Sequence, residues 1–203
     1  MAGPATRLDA VRERTLVERA VSDAAAFAEL YDFYLPRIFA YCLRRVADRS
    51  VAEDLTSTTF ERALGALRGG SFRNESFGGW LYRVAGNAAI DHVRRDRRTV
   101  PLATPDDGDS GDGDESGGVA TDPGDDRALQ PFTAALDRDA LARAITGLTA
   151  GHRRVVVLRY VDGLEGDELA GALGCSRPTA AVRLHRALRA LRDRMQAEST
   201  DAA

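Results

Sequence analysis

Lysine is absent: all 28 basic residues of this 203-residue chain are arginine. Codon bias in a GC-rich genome accounts for that, but the physical effect remains, because guanidinium groups bind phosphate and stack on flat rings more readily than ammonium does. Cysteine is scarce. Cys42 and Cys175 stand far apart in helical patterns, which argues against a disulfide framework and for buried, reduced thiols in a cytosolic compartment. The three histidines, His92, His152 and His185, form no metal-ligand spacing with either cysteine, so no metal centre is expected. No apolar run approaches a membrane span, and Met1-Ala2-Gly3-Pro4 opens no secretory segment. Strand-like alternation is missing, which sets the fold class as all-α. No nucleophile–base pair or phosphate-binding loop points to enzymatic chemistry or a cofactor.

What is there is 44% hydrophobic and 29% charged, the composition of a globular protein of one ordinary domain or two small ones. The net charge of −3 conceals a division. Residues 99–126 hold nine acidic side chains and no basic one, and setting those nine aside leaves the rest of the chain at about +6. An Asp-Gly-Asp-Ser-Gly-Asp-Gly-Asp core cannot bury apolar surface, so residues 99–137 read as a flexible acidic linker between two helical, basic halves. Around it lie an N-terminal extension at 1–22, a first domain at 23–98, a second at 138–196 and a tail at 197–203.

In the first domain Phe27, Leu30, Tyr31, Tyr34, Ile38, Cys42 and Val46 recur at helical steps, with Pro36 expected to kink or divide the helix. A second helix starts near Ser50 and runs to about Leu67, and Gly69-Gly70-Ser71 breaks it. A loop from Phe72 to Gly79 leads into a third helix ending near Arg98. On that helix Arg83, Asn87, Asp91, Arg94 and Arg98 fall on one stripe, while Phe77, Leu81, Val84, Ala85 and Ala88 share a packing face. Arginine and asparagine on such a stripe suit phosphate and base-edge contacts, although an isolated Arg-rich helix reads more readily as a solvated face. In the second domain Leu141, Ile145 and Leu148 suggest one helix and Arg153 to Val161 another. A short helix over Asp167–Leu173, a turn at Gly174-Cys175 and a basic helix capped by Ser176 make a helix-turn-helix, with Leu184, Leu188 and Leu191 on its buried face.

The run Trp80-Leu81-Tyr82-Arg83-Val84-Ala85-Gly86-Asn87-Ala88-Ala89-Ile90-Asp91-His92-Val93-Arg94-Arg95 closely resembles the DNA-melting, minus-ten-binding helix of extracytoplasmic-function (ECF) sigma factors, typically W-L-Y-R-I-A-R-N-x-A-I-D-x-x-R-R. Phe72-Arg73-Asn74-Glu75-Ser76-Phe77 resembles that family's F-R-G-E-S-x-F loop, which captures a flipped-out base. This copy is one residue short, and Gly78-Gly79 replaces the usual polar residue before the tryptophan. Ala52-Glu53-Asp54-Leu55 through Phe60-Glu61-Arg62-Ala63 resembles the helix that docks on the β′ clamp helices of RNA polymerase. Gly163-Leu164, Glu168-Leu169-Ala170, Leu173-Gly174-Cys175-Ser176, Thr179 and Arg183-Leu184-His185-Arg186-Ala187 resemble sigma region four. Glu165 departs from the usual serine and Ala180-Ala181-Val182 from Val-Lys-Ser.

Residue by residue, the resemblance implies minus-ten contacts from Phe72, Arg73, Asn74, Arg83, Asn87, Asp91, Arg94, Arg95 and Arg98. It implies minus-thirty-five contacts from Arg177, Thr179, Arg183 and Arg186, and core-polymerase contacts from Asp54, Thr58 and Glu61. Core RNA polymerase (β′ clamp and β flap), promoter DNA and an anti-sigma factor are the implied partners, with no membrane. The alternative is a free-standing helix-turn-helix regulator, against which the second DNA-facing helix in the first domain argues.

Overall fold

The computed structural model describes residues 8–73, 76–99 and 136–201, and every regular element among them is an α-helix, in agreement with the all-α reading. The first half contains α1 (Ala10–Ala20), α2 (Ala24–Val46), α3 (Arg49–Arg68) and α4 (Phe77–Thr99). The second contains α5 (Leu136–Thr146), α6 (Ala150–Tyr160), α7 (Gly166–Leu173) and α8 (Arg177–Asp201). Most of the expected acidic linker and the Ala202-Ala203 end lie outside the described residues.

Local chemistry sets the helix starts. Asp9, Asp23 and Asp48 each accept a backbone N–H one to two residues into α1, α2 and α3, and Thr149 does the same for α6. Between α2 and α3 the chain turns on Ala47, held at φ 55° in the left-handed region. Pro36 does not divide α2, which continues through it as one helix. Tyr34, Ile38, Tyr41 and Cys42 are buried on either side, so tertiary packing sustains the turn that loses an N–H. Across from them Arg45, fully buried, lies with its guanidinium 3.6 Å from the Tyr41 ring centre, and Tyr41 meets Tyr82 of α4 edge-on at 5.0 Å. That stack fixes α4 on α2.

The two halves do not stand apart. Leu158, Leu164, Leu169, Ala170, Ala172 and Ala180 continue the hydrophobic core that begins in α1–α4. The seam is α7 lying on the start of α4. Gly79 and Gly171 make the approach possible: a methyl group on Gly79 would sit 2.5 Å from the Glu168 carbonyl oxygen and 3.0 Å from the Gly171 Cα. Polar contacts close the seam as well. Arg83 of α4 donates to the Gly171 carbonyl at 3.4 Å, and Arg44 of α2 is hydrogen-bonded and ion-paired to Asp162, whose side chain is buried. The two domains expected to be joined only by a linker are therefore also joined directly, through residues whose glycine content allows backbone-to-backbone contact.

Two smaller clusters complete the second half, Ile145 with Val157, and Leu148 with Val155, Val156 and Ala187. The buried face of α8 is built from Ala180 and Ala187 with Leu184 and Leu191 packed alongside. Leu188, expected in that row, belongs to none of these clusters among the described residues. At about 100° per residue it is rotated off the line through 180, 184, 187 and 191.

Candidate nucleic-acid interface

α4 starts three residues earlier than the sequence suggests, at Phe77, because two acceptors wait there for its free N–H groups. The Ser76 hydroxyl accepts from Gly79 N–H at 3.2 Å, and the Glu13 carboxylate of α1 accepts from Gly78 N–H at 2.7 Å. Phe77 is thereby pinned and its ring stacks on Trp80, 6.4 Å between centres and 19° between planes. Phe72 meets both edge-on, at 5.6 and 5.7 Å. Trp80 is half-buried in this aromatic trio, beneath the loop. Arg73 is exposed on the loop, and Asn74 lies outside the described residues.

Further along α4, Asn87, Asp91, Arg94 and Arg95 are exposed while Leu81, Ala85 and Ala88 are buried. Arg95 keeps one guanidinium N–H on the Asp91 carbonyl at 3.2 Å. Arg83 departs from the rest of the stripe: it is half-buried and turned toward Gly171 across the seam. The side chain of Arg98 lies outside the described residues. What results is a partly exposed Phe72–Trp80 edge running into a polar, cationic helix face, a surface with the chemistry to hold a phosphate backbone.

The second surface is the start of α8. Gly174, left-handed at φ 63°, ends α7, and Ser176 caps α8 by accepting from Thr179 N–H at 3.4 Å, with the two hydroxyls 2.9 Å apart. Arg177 and Arg186 are exposed, and Thr179 and Arg183 half-buried. Arg177 stands 3.8 Å from Asp167, both widely exposed, a contact of little energetic consequence. Partial burial pushes the Cys175 thiol up, against the opposing pull of the Arg183 charge. Ala181 and Val182 are also exposed, so an apolar patch interrupts the cationic face. Glu165, at the N-cap position where a serine is usual, makes no side-chain cap and pairs with Arg159 at 2.8 Å.

On α3, Asp54 and Glu61 are exposed and Thr58 half-buried, one face opposite the buried Ala52, Leu55, Thr56, Thr59, Phe60 and Ala63. Among the described residues no group of three His, Cys, Asp or Glu could hold a metal ion, and no helix is long and apolar enough to cross a membrane. Glu13 is the residue that sequence reading missed. Its signal was a carboxylate on the apolar stripe of α1, one face with Leu16 and Ala20.

The family model for sigma-70 region 2 matches residues 30–99, and that for sigma-70 region 4 matches residues 138–191. The ECF RNA polymerase sigma factor SigL of Mycobacterium tuberculosis is 34% identical over 180 residues, 87% of this chain and 93% of that protein. The chain belongs to the ECF RNA polymerase sigma factors. BldN of Streptomyces coelicolor, of the same family, is 34% identical over 189 residues, covering 93% of this chain and 67% of BldN. Among solved structures, CnrH in complex with the cytosolic domain of CnrY shares the fold at a TM-score of 0.56 and 22% identity, over 92% of this chain and 98% of that one. As a sigma factor the protein binds core RNA polymerase, recognises minus-ten and minus-thirty-five elements and promotes initiation; a free-standing regulator is not favoured.

Proposed function

We propose that the Phe72–Phe77 loop and the exposed face of α4 read the minus-ten element, that the start of α8 reads the minus-thirty-five element, and that Asp54, Thr58 and Glu61 face the β′ clamp. Phe72, Arg73, Asn74, Asn87, Asp91, Arg94, Arg95 and Arg98 are the minus-ten candidates, and Arg83 joins them once the seam opens. Arg177, Thr179, Arg183 and Arg186 serve the second element, with the β flap holding this half on the polymerase. The observation that carries the reading is that Trp80, against which the loop residue Phe72 packs, lies on the same helix as the exposed Asn87-to-Arg95 face. All bond-making is left to the polymerase, and the working compartment is the cytoplasm. An anti-sigma factor is a partner by analogy with CnrH, whose solved form is its complex with CnrY.

Reading both elements at once requires the halves to part. Their names place them about 25 base pairs apart, ~85 Å at ~3.4 Å per base pair. Contact between α4 and α7 does not allow that span. Residues 100–135 can: 36 residues reach ~120 Å at about 3.3 Å each. Run-off transcription with purified core enzyme tests the reading. Transcripts that depend on both elements and on this chain are expected; DNA binding by the free chain with no transcript and no core association would overturn it.

A further inference from the structure

We propose that Glu13 is a positioning residue for minus-ten recognition, holding the described ends of the Phe72–Phe77 loop and the first turn of α4 in the arrangement that receives the strand. The proposal rests on the assignment of that loop and helix to the minus-ten element. Glu13 lies outside the residues matched by the region 2 model, which begins at residue 30, in a stretch that sequence alone marks only as an extension.

The geometry is specific. Glu13 is 9% exposed, and one oxygen, Oε1, accepts from the Tyr34 hydroxyl at 2.6 Å and from Gly78 N–H at 2.7 Å. Its other oxygen, Oε2, is 3.4 Å from the Ser76 hydroxyl, which donates to it and in turn accepts from Gly79 N–H. The carboxylate thus binds the residues on both sides of Phe77 and none of the residues expected to touch DNA. A negative charge at a helix N-terminus is stabilised by the free N–H groups and the helix dipole. Tyr34, whose hydroxyl is tied to the same oxygen, meets the Phe77 ring edge-on at 5.9 Å. Phe77 stacks on Trp80 and both hold Phe72, so the position of one buried carboxylate is passed through three rings to the loop entry.

A purely structural role would tie α1 to the bundle and nothing more. The two roles separate because the chain has a single tryptophan, Trp80, inside the trio. We expect Glu13→Ala to change the Trp80 emission of the free chain while far-UV helicity is kept. Assembled with core polymerase, the variant should bind a single-stranded minus-ten oligonucleotide at least tenfold more weakly and with a flattened preference across single-base variants. Binding of a minus-thirty-five duplex should stay within twofold. Glu13→Gln, which keeps an oxygen for Gly78 and Tyr34, should restore most of the preference; should the alanine variant fail to fold, Tyr34→Phe, which removes one donor from the same carboxylate oxygen, carries the test with losses in the same direction. An unchanged preference with an unchanged Trp80 spectrum overturns the proposal, as does an equal loss on both elements. A wild-type holoenzyme with no minus-ten preference would instead sink the underlying functional reading.

Discussion

At the scale of single residues, the proposed DNA-facing surface of α4 carries two kinds of side chain. Arg94 and Arg95 are exposed cations with reach to phosphate, whereas Asn87 presents an amide able to pair with a base edge. Replacing both arginines with alanine should weaken promoter complexes across all sequences and lower the slope of log affinity against log salt by about 0.9 for each phosphate left without its cation. Asn87→Ala should leave that slope alone and change base preference; filter binding across salt and a promoter panel distinguishes the two. Buried acids set a different limit. Burial pushes the Cys42 thiol up to about 11 from an ordinary 9.0, and lifts the Tyr34 and Tyr82 phenols well above 10.0. Each is held protonated in the fold but released in the unfolded chain, so stability is full below pH 9 and declines as pH rises through the folded values. Denaturant midpoints should fall between pH 9 and 11, and Cys42→Ala should shallow that fall. A midpoint independent of pH over this window would contradict the burial of these groups.

At the scale of elements, what the sequence makes legible follows from how local the cause is. α3 is readable from its own residues: Asp48 precedes it, apolar side chains recur at helical steps, and Gly69 ends it. The stripe on α4 is equally local, since periodicity alone puts Asn87, Asp91 and Arg94 opposite Leu81, Ala85 and Ala88. The start of α4 is only half readable: Ser76, three residues before Gly79, is a local cap, but the acceptor for Gly78 is the side chain of Glu13, 65 residues away. The burial of Arg83 is not readable, because it depends on a carbonyl 88 residues on. Pro36 misleads for the converse reason, a local rule outweighed by packing on both sides. The caps give a direct check of local causation. Asp48→Ala removes the hydrogen bond to Val51 N–H, 3.0 Å, and should lower stability by about 1 kcal/mol. It should fray the end of α3 nearest Asp54 and so weaken core binding, while isolated promoter-strand binding stays unchanged; thermal melts and core titrations report the two effects separately.

For the whole molecule, the seam between α4 and α7 explains a departure that the sequence shows but does not interpret, Gly78-Gly79 where a polar residue is usual. A side chain on Gly79 would collide with the backbone of α7, and one on Gly171 would come within 3.2 Å of the Gly79 Cα. The ion pair beside the seam adds a second constraint, since a buried carboxylate such as Asp162 needs a cation if the halves stay closed. Gly79→Ala tests the seam without weakening either half, because alanine within a helix is favoured over glycine by about 1 kcal/mol. The variant should therefore keep the helicity of both halves, yet show a larger radius of gyration in small-angle scattering of the free chain. Arg44→Ala approaches the same endpoint from the electrostatic side. With the halves closed, stranding Asp162 would cost about 3–5 kcal/mol; with the halves parted, the carboxylate reaches water and most of that penalty disappears. Relief of that penalty favours opening against the apolar burial that holds the seam, and Arg44→Ala should expand the free chain while leaving transcription at saturating core polymerase within about twofold, a change worth only about 0.4 kcal/mol. A compact scattering profile in both variants, with stability lost instead, would mean that the seam is part of the folding unit and does not open.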